Sequence, residues 1–346
     1  MAIQANSVNE MYQELSKKLS KIVPSAELKI KAELAFEINK LKKEKGAIIL
    51  GHNYMEAALF LAVPDIIGDS LELSRKAAEA KANIIIFCGV RFMAETAKIL
   101  NPSRTVLLPA TKAGCSLASS ITADDVRELK QKYPGVPVIT YINTYADVKA
   151  ECDICCTSGN AHRVVKHYQG QPVIFLPDQY LASNVANEVG RNIKITKRSG
   201  EVLELGPNDM LGWDGKCEVH EQFTVNDIVQ IRKQFPEVSV IAHPECSPEV
   251  VAASDYSSST SAMTKFVREG HAKHYLILTE CSMADNIIAE NPDKDILRLC
   301  SIRCPHMNEI TLESVYRSLT ENYQEIHVPE DIASKAKLSL ERMLAI

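Results

Sequence analysis

Residues 46–54 read GAIILGHNY, a continuous apolar run that stops at a polar tip carrying His52. Two further runs have the same form: PVITYIN at 137–143, tipped by Tyr141, and VSVIAHPE at 238–245, tipped by His243. A strand with no polar alternation is covered on both faces, as in a parallel sheet between helical layers, and ligand groups collect beyond the carboxyl ends of such strands. His52, Tyr141 and His243 stand at that edge.

Counting onward from these three anchors exposes a repeat. Ser70, Ser158 and Thr260 follow at 18, 17 and 17 residues, each just before a stretch of helical composition (LELSRKAAEA, NAHRVVKHY, SAMTKFVREG). A hydroxyl there can cap free helix N–H groups, and a helix start favours an anion. Ile86, Phe175 and Ile277 lie 34 residues after the anchors, inside NIIIFCGV, PVIFLPD and HYLILTE, three more buried-strand runs. Cys115, Cys217 and Cys304 then follow at offsets of 63, 76 and 61. The long middle offset is matched by KITKRSGEVLEL at 194–205, whose alternation around Ser199-Gly200 predicts an inserted β-hairpin near 192–205. The expected organisation is a helical lead-in (1–46), then αβα repeats at 47–135, 136–235 and 236–346, the second holding the hairpin and the third a C-terminal helix. In the lead-in, Ser25 is the expected N-cap of a helix that ends at Gly46, with Lys42, Lys43 and Lys45 favouring its C-terminal dipole. The first 24 residues carry no usable pattern and are expected to be partly disordered.

Composition narrows the chemistry. With 346 residues, 46% hydrophobic, the chain can bury substantial cores, and 39 basic against 44 acidic side chains leave no positive field for nucleic acid or an anionic membrane. No stretch approaches the ~20 apolar residues that span a bilayer, and MAIQANSVNEMYQEL has no signal core. The expectation is a cytoplasmic enzyme acting on small molecules. Ten cysteines there point to metal rather than to a disulfide framework. Cys88, Cys152, Cys155, Cys156 and Cys281 lie in or beside apolar runs and read as small buried hydrophobes. Cys246 flanks HPE, while Cys300, four before Cys304, is equally readable as ligand, redox partner or bystander. Three thiolates from three repeats suit a four-iron cluster with one open iron, and spacing alone does not separate that from zinc.

The local strings carry a resemblance. GHNY (51–54), GDSLELSR (68–75), GVRFMAETAKIL (89–100), GCSL (114–117), YIN (141–143), TSGNA (157–161), PDQYL (177–181), GKCEVH (215–220), HPE (243–245), STS (259–261) and CPHM (304–307), in that order, resemble the quinolinate synthases of bacterial NAD biosynthesis. The resemblance implies three pseudo-symmetric αβα domains, each a three-layer parallel-sheet unit, set in a triangle around a central cluster. It implies condensation of iminoaspartate with dihydroxyacetone phosphate to quinolinate, with loss of phosphate and two waters. It also implies a [4Fe-4S] cluster held by Cys115, Cys217 and Cys304, the open iron serving as Lewis acid. A functional link to an iminoaspartate-producing L-aspartate oxidase and a monomeric or homodimeric state go with it. Relatives with a CxxCxxC run before the last ligand differ from this chain, which keeps only Cys300 and Cys304 there.

Side-chain chemistry assigns the remaining roles. His52 and Tyr54 are acid/base candidates, since histidine titrates near neutrality. Glu245, beside His243, is the candidate base for carbon-bound protons and would need a raised pKa. Tyr141 and Asn143 can orient a planar polar intermediate, and Ser70, Ser158 and Thr260 can hold carboxylate or phosphate oxygens. Arg91 and Lys98 read equally as anion-assisting groups or as salt-bridge partners. Two rival readings are another cluster-dependent hydro-lyase and a non-enzymatic α/β protein pinned by metal.

Overall fold

The computed structural model describes residues 2–299 and 301–346, so Cys300 lies outside the described residues. The lead-in forms two helices. α1 (Val8–Leu19) is capped by the Ser7 hydroxyl and buries Met11, Leu15 and Leu19, so the segment expected to be partly disordered is an amphipathic helix. In α2 (Ser25–Glu44) the N-cap is Pro24, not Ser25, because a proline ahead of the first turn already supplies the extended entry and the serine begins the helix. Gly46 follows at φ +60°, the left-handed conformation that a Cβ disfavours. Lys42 is buried, donating to the Val63 carbonyl at 2.8 Å and to Asp65 at 2.8 Å, so it acts as an internal tie as well as a dipole partner.

The chain then runs β1 (Ala47–His52), α3 (Ala57–Ala62), β2 (Ile66–Gly68), α4 (Ser70–Glu79), β3 (Ile84–Cys88), α5 (Arg91–Leu100), β4 (Thr105–Leu107) and α6 (Ala123–Lys132). It repeats as β5 (Val138–Tyr141), α7 (Ala146–Glu151), β6 (Ile154–Cys156), α8 (Ala161–His167), β7 (Val173–Leu176), α9 (Gln179–Val189), β8 (Asn192–Thr196), β9 (Asp209–Trp213) and α10 (Val225–Gln234). The third passage is β10 (Ser239–Ala242), α11 (Pro248–Ala253), β11 (Tyr256–Ser257), α12 (Thr260–Glu269), β12 (His274–Leu278), α13 (Cys281–Glu290), β13 (Asp295–Arg298) and α14 (Leu312–Glu321), closed by α15 (Glu330–Ala345). The fold is α/β with three sheets, ordered β2-β1-β3-β4, β6-β5-β7-β9-β8 and β11-β10-β12-β13. Pairing is parallel throughout the first two and within the β10–β11 and β12–β13 pairs of the third. The anchors end or directly follow the strands β1, β5 and β10, and Ile86, Phe175 and Ile277 lie inside β3, β7 and β12.

The hairpin near 192–205 is not formed. β8 is an edge strand parallel to β9, and residues 197–208 cross back without a second strand. Leu203 and Leu205 pack against the cluster of Val126, Leu129, Tyr133 and Trp213, and the Leu203 amide donates to Tyr133 Oη at 2.8 Å. The alternation thus serves docking on α6 rather than antiparallel pairing. Arg198 completes that docking with a bidentate pair to Asp125, 2.7 Å to each oxygen.

The chain divides into two compact units, Met1–Ala113 with Thr264–His327, and Gly114–Met263 with Val328–Ile346. No helix among the described residues is long and apolar enough to cross a membrane.

Candidate active site

In the second unit a buried carboxylate gathers the predicted groups. Tyr141 Oη donates to Glu245 Oε1 at 2.6 Å, Asn143 Nδ2 donates to the same oxygen at 3.3 Å, and His220 Nδ1 meets Oε2 at 2.8 Å. The His220 ring stacks on His243 with centroids 4.7 Å apart. Burial alone would raise the Glu245 carboxyl, but His220, His243 and the Tyr141 hydroxyl together outweigh it and hold the group well below the usual carboxylate range. The raised pKa expected of Glu245 is therefore corrected: its neighbours stabilise the charge. A carboxylate so placed fixes His220 with Nδ1–H toward it and leaves Nε2 as the proton acceptor.

His220 was not singled out from the sequence, although it stands three residues after Cys217 inside GKCEVH. Asp178 was missed too. It is fully buried, caps α9 through Oδ1, and its Oδ2 has no hydrogen-bond partner among the described residues. Burial, then the charge of Glu245, drives its carboxyl well above the ordinary range. Two neighbouring carboxyls are thus shifted in opposite directions by their surroundings.

Ser158 lines a cleft of ≈ 430 Å³ with Gly159, Asn184 and Pro244. It precedes Asn160, the N-cap of α8, by two residues, and Thr260 is the first residue of α12. Ser70 likewise opens α4, but the cap is Asp69, whose carboxylate accepts the Leu71 and Glu72 amides. The expected hydroxyl cap is displaced by one position because the stronger acceptor sits nearer the helix dipole.

In the first unit His52 is buried with its ring edge-on to Tyr54, centroids 4.7 Å apart, and Tyr54 Oη shares a 2.6 Å hydrogen bond with Thr279 Oγ1. The Tyr54 amide donates to His52 Nδ1 at 3.2 Å, and the Glu245 amide to His243 Nδ1 at 3.4 Å in the second unit. Both rings thus face a backbone amide with Nδ1, an arrangement that suits the Nε2–H tautomer. Arg91 pairs with Glu95 at 2.7 Å, and Lys98 donates to the Arg104 carbonyl at 2.7 Å.

The cysteines divide by exposure. Cys115, Cys217 and Cys304 are partly exposed, while Cys88, Cys152, Cys155, Cys156, Cys246 and Cys281 are buried. The three exposed ones share one backbone setting. The amide opening the helix after the third strand of each repeat donates to the carbonyl two residues before the cysteine: Arg91 to Ala113, Gln179 to Gly215 and Cys281 to Ile302, at 2.8, 2.8 and 3.2 Å. Each cysteine carbonyl then accepts the amide four residues on, from Ser119, Glu221 and Asn308 at 3.0, 3.0 and 3.1 Å. A 3-10 turn follows, and a capping-box threonine stands seven residues after each cysteine: Thr122, Thr224 and Thr311. Gly215 is required in this setting, since a Cβ there would collide with the Pro177 carbonyl and lie 2.6 Å from Ser120 Oγ.

The second unit also holds the Cys115 and Cys217 turns side by side, the Glu218 amide reaching Ser116 Oγ at 3.5 Å. Burial, then Glu245 and Cys115, pushes the Cys217 thiol well above its usual pKa, and a cation is the group that reverses such a shift. Cys217, His220 and Glu245 present ligand atoms within 4.8 Å of one another. In the first unit the Cys304 amide donates to the buried Glu280 at 3.3 Å. Soft donors on preformed turns fit a thiolate-bound metal centre.

Residues 36–345 match the family model described as Quinolinate synthetase A protein. The chain belongs to that family. It is 46% identical over 329 residues to quinolinate synthase 2 of Mesorhizobium japonicum, covering 95% of this chain and 96% of the relative. Quinolinate synthases of Xylella fastidiosa (49% over 309 residues, 89% and 86% covered) and Agrobacterium fabrum (46% over 343 residues, 99% and 94% covered) are similar along nearly the same length. The matched residues fall in both compact units and leave out residues 1–35 and 346.

Proposed function

We propose that the chain is a quinolinate synthase that condenses iminoaspartate with dihydroxyacetone phosphate, releasing phosphate and two waters, in NAD biosynthesis. The observation that carries this reading is the common turn around Cys115, Cys217 and Cys304, the three partly exposed cysteines among those described. These residues are the proposed ligands of one [4Fe-4S] cluster per chain. When bound, that cluster supplies an open Lewis-acidic iron that polarises oxygen ligands and eases loss of water.

The protein's own groups handle protons and orientation in this reading. Glu245, kept ionised, holds His220 by its Nδ1–H, and the pair takes carbon-bound protons. Tyr141 and Asn143 fix the carboxylate and orient the substrate. His52 and His243, held as Nε2–H tautomers, donate hydrogen bonds to carbonyl or carboxylate oxygens, and Tyr54 relays protons beside His52. Ser70, Ser158 and Thr260 receive substrate carboxylates or phosphate at helix starts. The iminoaspartate would come from an L-aspartate oxidase reaction, and the setting is cytoplasmic.

The test is quinolinate formation from the two substrates by anaerobically purified protein, with iron and sulfide analysis of wild type and of Cys115→Ala, Cys217→Ala and Cys304→Ala. About four irons per chain, lost in each variant along with turnover, is the expected result. Dehydration of a hydroxy acid without quinolinate would favour a different cluster-dependent hydro-lyase. A redox-silent metal with no turnover would leave only a structural pin.

A further inference from the structure

Each repeat follows its first strand with a tight turn that carries the proposed catalytic groups, and the first and third turns are built alike. Met55 and Cys246 donate their amides to the His52 and His243 carbonyls at 3.0 and 2.9 Å, and each histidine Nδ1 accepts the amide two residues on. An asparagine then clamps each turn by donating to two carbonyls. Asn286 of α13 bonds Asn53 O and Met55 O at 3.0 and 2.9 Å, and Asn184 of α9 bonds Pro244 O and Cys246 O at 2.9 Å each. Both asparagines stand six residues after the carboxyl that caps their helix, Glu280 and Asp178.

The second turn lacks both devices. Its anchor is Tyr141, which has no ring nitrogen to take an amide, and its Thr144 amide bonds Ile142 O at 2.8 Å. In α5 the position six after the cap Val90 is Thr96, whose hydroxyl bonds Phe92 O of its own helix. The double-carbonyl clamp is nevertheless present: Lys149 of α7 donates Nζ to Ile142 O at 2.8 Å and to Thr144 O. These are the same two relative positions that the asparagines hold elsewhere.

Lys149 is fully buried, and a buried ammonium is tolerated only when its protons are bonded. The residues eight after His52 and His243, where Lys149 stands relative to Tyr141, are the apolar Phe60 and Val251. Ser339 of α15 holds the Lys149 backbone carbonyl at 3.1 Å, so the base of the clamp is itself fixed.

We infer that Lys149 is a positioning residue: its buried ammonium replaces the asparagine clamp of the other two turns and sets Tyr141 and Asn143 against Glu245. The inference rests on the functional reading above only for its activity readout. Both Tyr141 and Asn143 reach one carboxylate oxygen, so a displaced loop misaligns two groups together, and small misplacements of such groups cost up to ~100-fold in rate.

In holoenzyme, Lys149→Met should lower kcat by about 10- to 100-fold with iron content unchanged and KM within about threefold. In an Asn143→Ala background the same change should cost less than about threefold, because the two act through one loop. Fully multiplicative losses, or wild-type turnover in Lys149→Met, would overturn the assignment. Lys149→Gln retains N–H donors and should recover part of the loss; it carries the same comparison if the methionine variant does not fold. Amide hydrogen exchange supplies the readout independent of activity. Residues 142–145 should exchange at least about tenfold faster in the variant while 53–56 and 244–247 keep their rates; equal exchange in all three turns sinks the proposal. A wild type that makes no quinolinate sinks the functional reading instead, and exchange still decides on Lys149.

Discussion

Glu245 and Glu280 are the same residue type at nearly the same burial, 3% and 0% exposed, and their carboxyl pKa values are shifted in opposite directions. Around Glu245 two histidines, a phenol and an amide converge, and the carboxylate stays ionised despite burial. Glu280 receives the Ser282 and Cys304 amides with Arg303 nearby, and burial prevails, lifting its pKa to about 7. Depth sets the penalty for charge in both places, and the partners decide whether it is met. The ionised glutamate suits proton chemistry. The one poised near neutrality suits a helix cap that also tethers a cysteine turn.

Substitution to glutamine should separate the pair most sharply. Glu245→Gln removes the charge that orients His220 and should lower quinolinate formation by ~10³-fold with iron content unchanged. Glu280→Gln keeps one acceptor and loses the other, and should cost less than about tenfold in rate. Equal losses in steady-state kinetics would erase the contrast.

A pH titration of stability in metal-free protein sharpens it next. Because Glu280 binds its proton more tightly folded than unfolded, its contribution falls as pH rises from about 4.5 to about 7, by on the order of 3 kcal/mol, and is flat above. Denaturant melts of wild type and Glu280→Gln should therefore converge in acid and diverge with rising pH, the variant gaining relative to wild type. Parallel curves would remove the raised pKa from the account.

The smallest effect belongs to a buried carboxylate that pairs with an exposed arginine. Asp125 is held at a pKa of about 2, first by Arg198 and against its own burial, with Thr122 adding to the effect. Its contribution is present above about pH 4 and is lost as pH falls through about 2. Arg198→Ala should lower the melting temperature at pH 7 by no more than about 2 °C, with the difference gone near pH 2. A larger loss would mean that the 197–208 segment depends on this pair more than on Leu203 and Leu205.

Apolar runs and fixed offsets made the strands, the anchors and the three cysteines legible, because strand ends in parallel sheets and thiols at matched positions leave a periodic trace. Lys149 left none: lysine reads as solvated surface, and only the fold shows that carbonyls surround it. Asp178 and Glu280 stand directly before helices at the same offset from their anchors, so capping logic applied to the third helix of each repeat would have reached them. His220 was visible only as part of a string, since its role depends on Glu245 being 25 residues away in sequence and 2.8 Å away in space. The misread hairpin shows that alternation on an edge segment reports one covered face and does not name the partner.

The cysteine turns have one further consequence. Their geometry is held by backbone amides and threonine boxes within a few residues and by the amide that opens the preceding helix, contacts that need no metal. The loops are thus shaped before any ligand reaches the thiols. Capture of the proposed cluster would then not have to organise the polypeptide around itself as it does in a zinc finger.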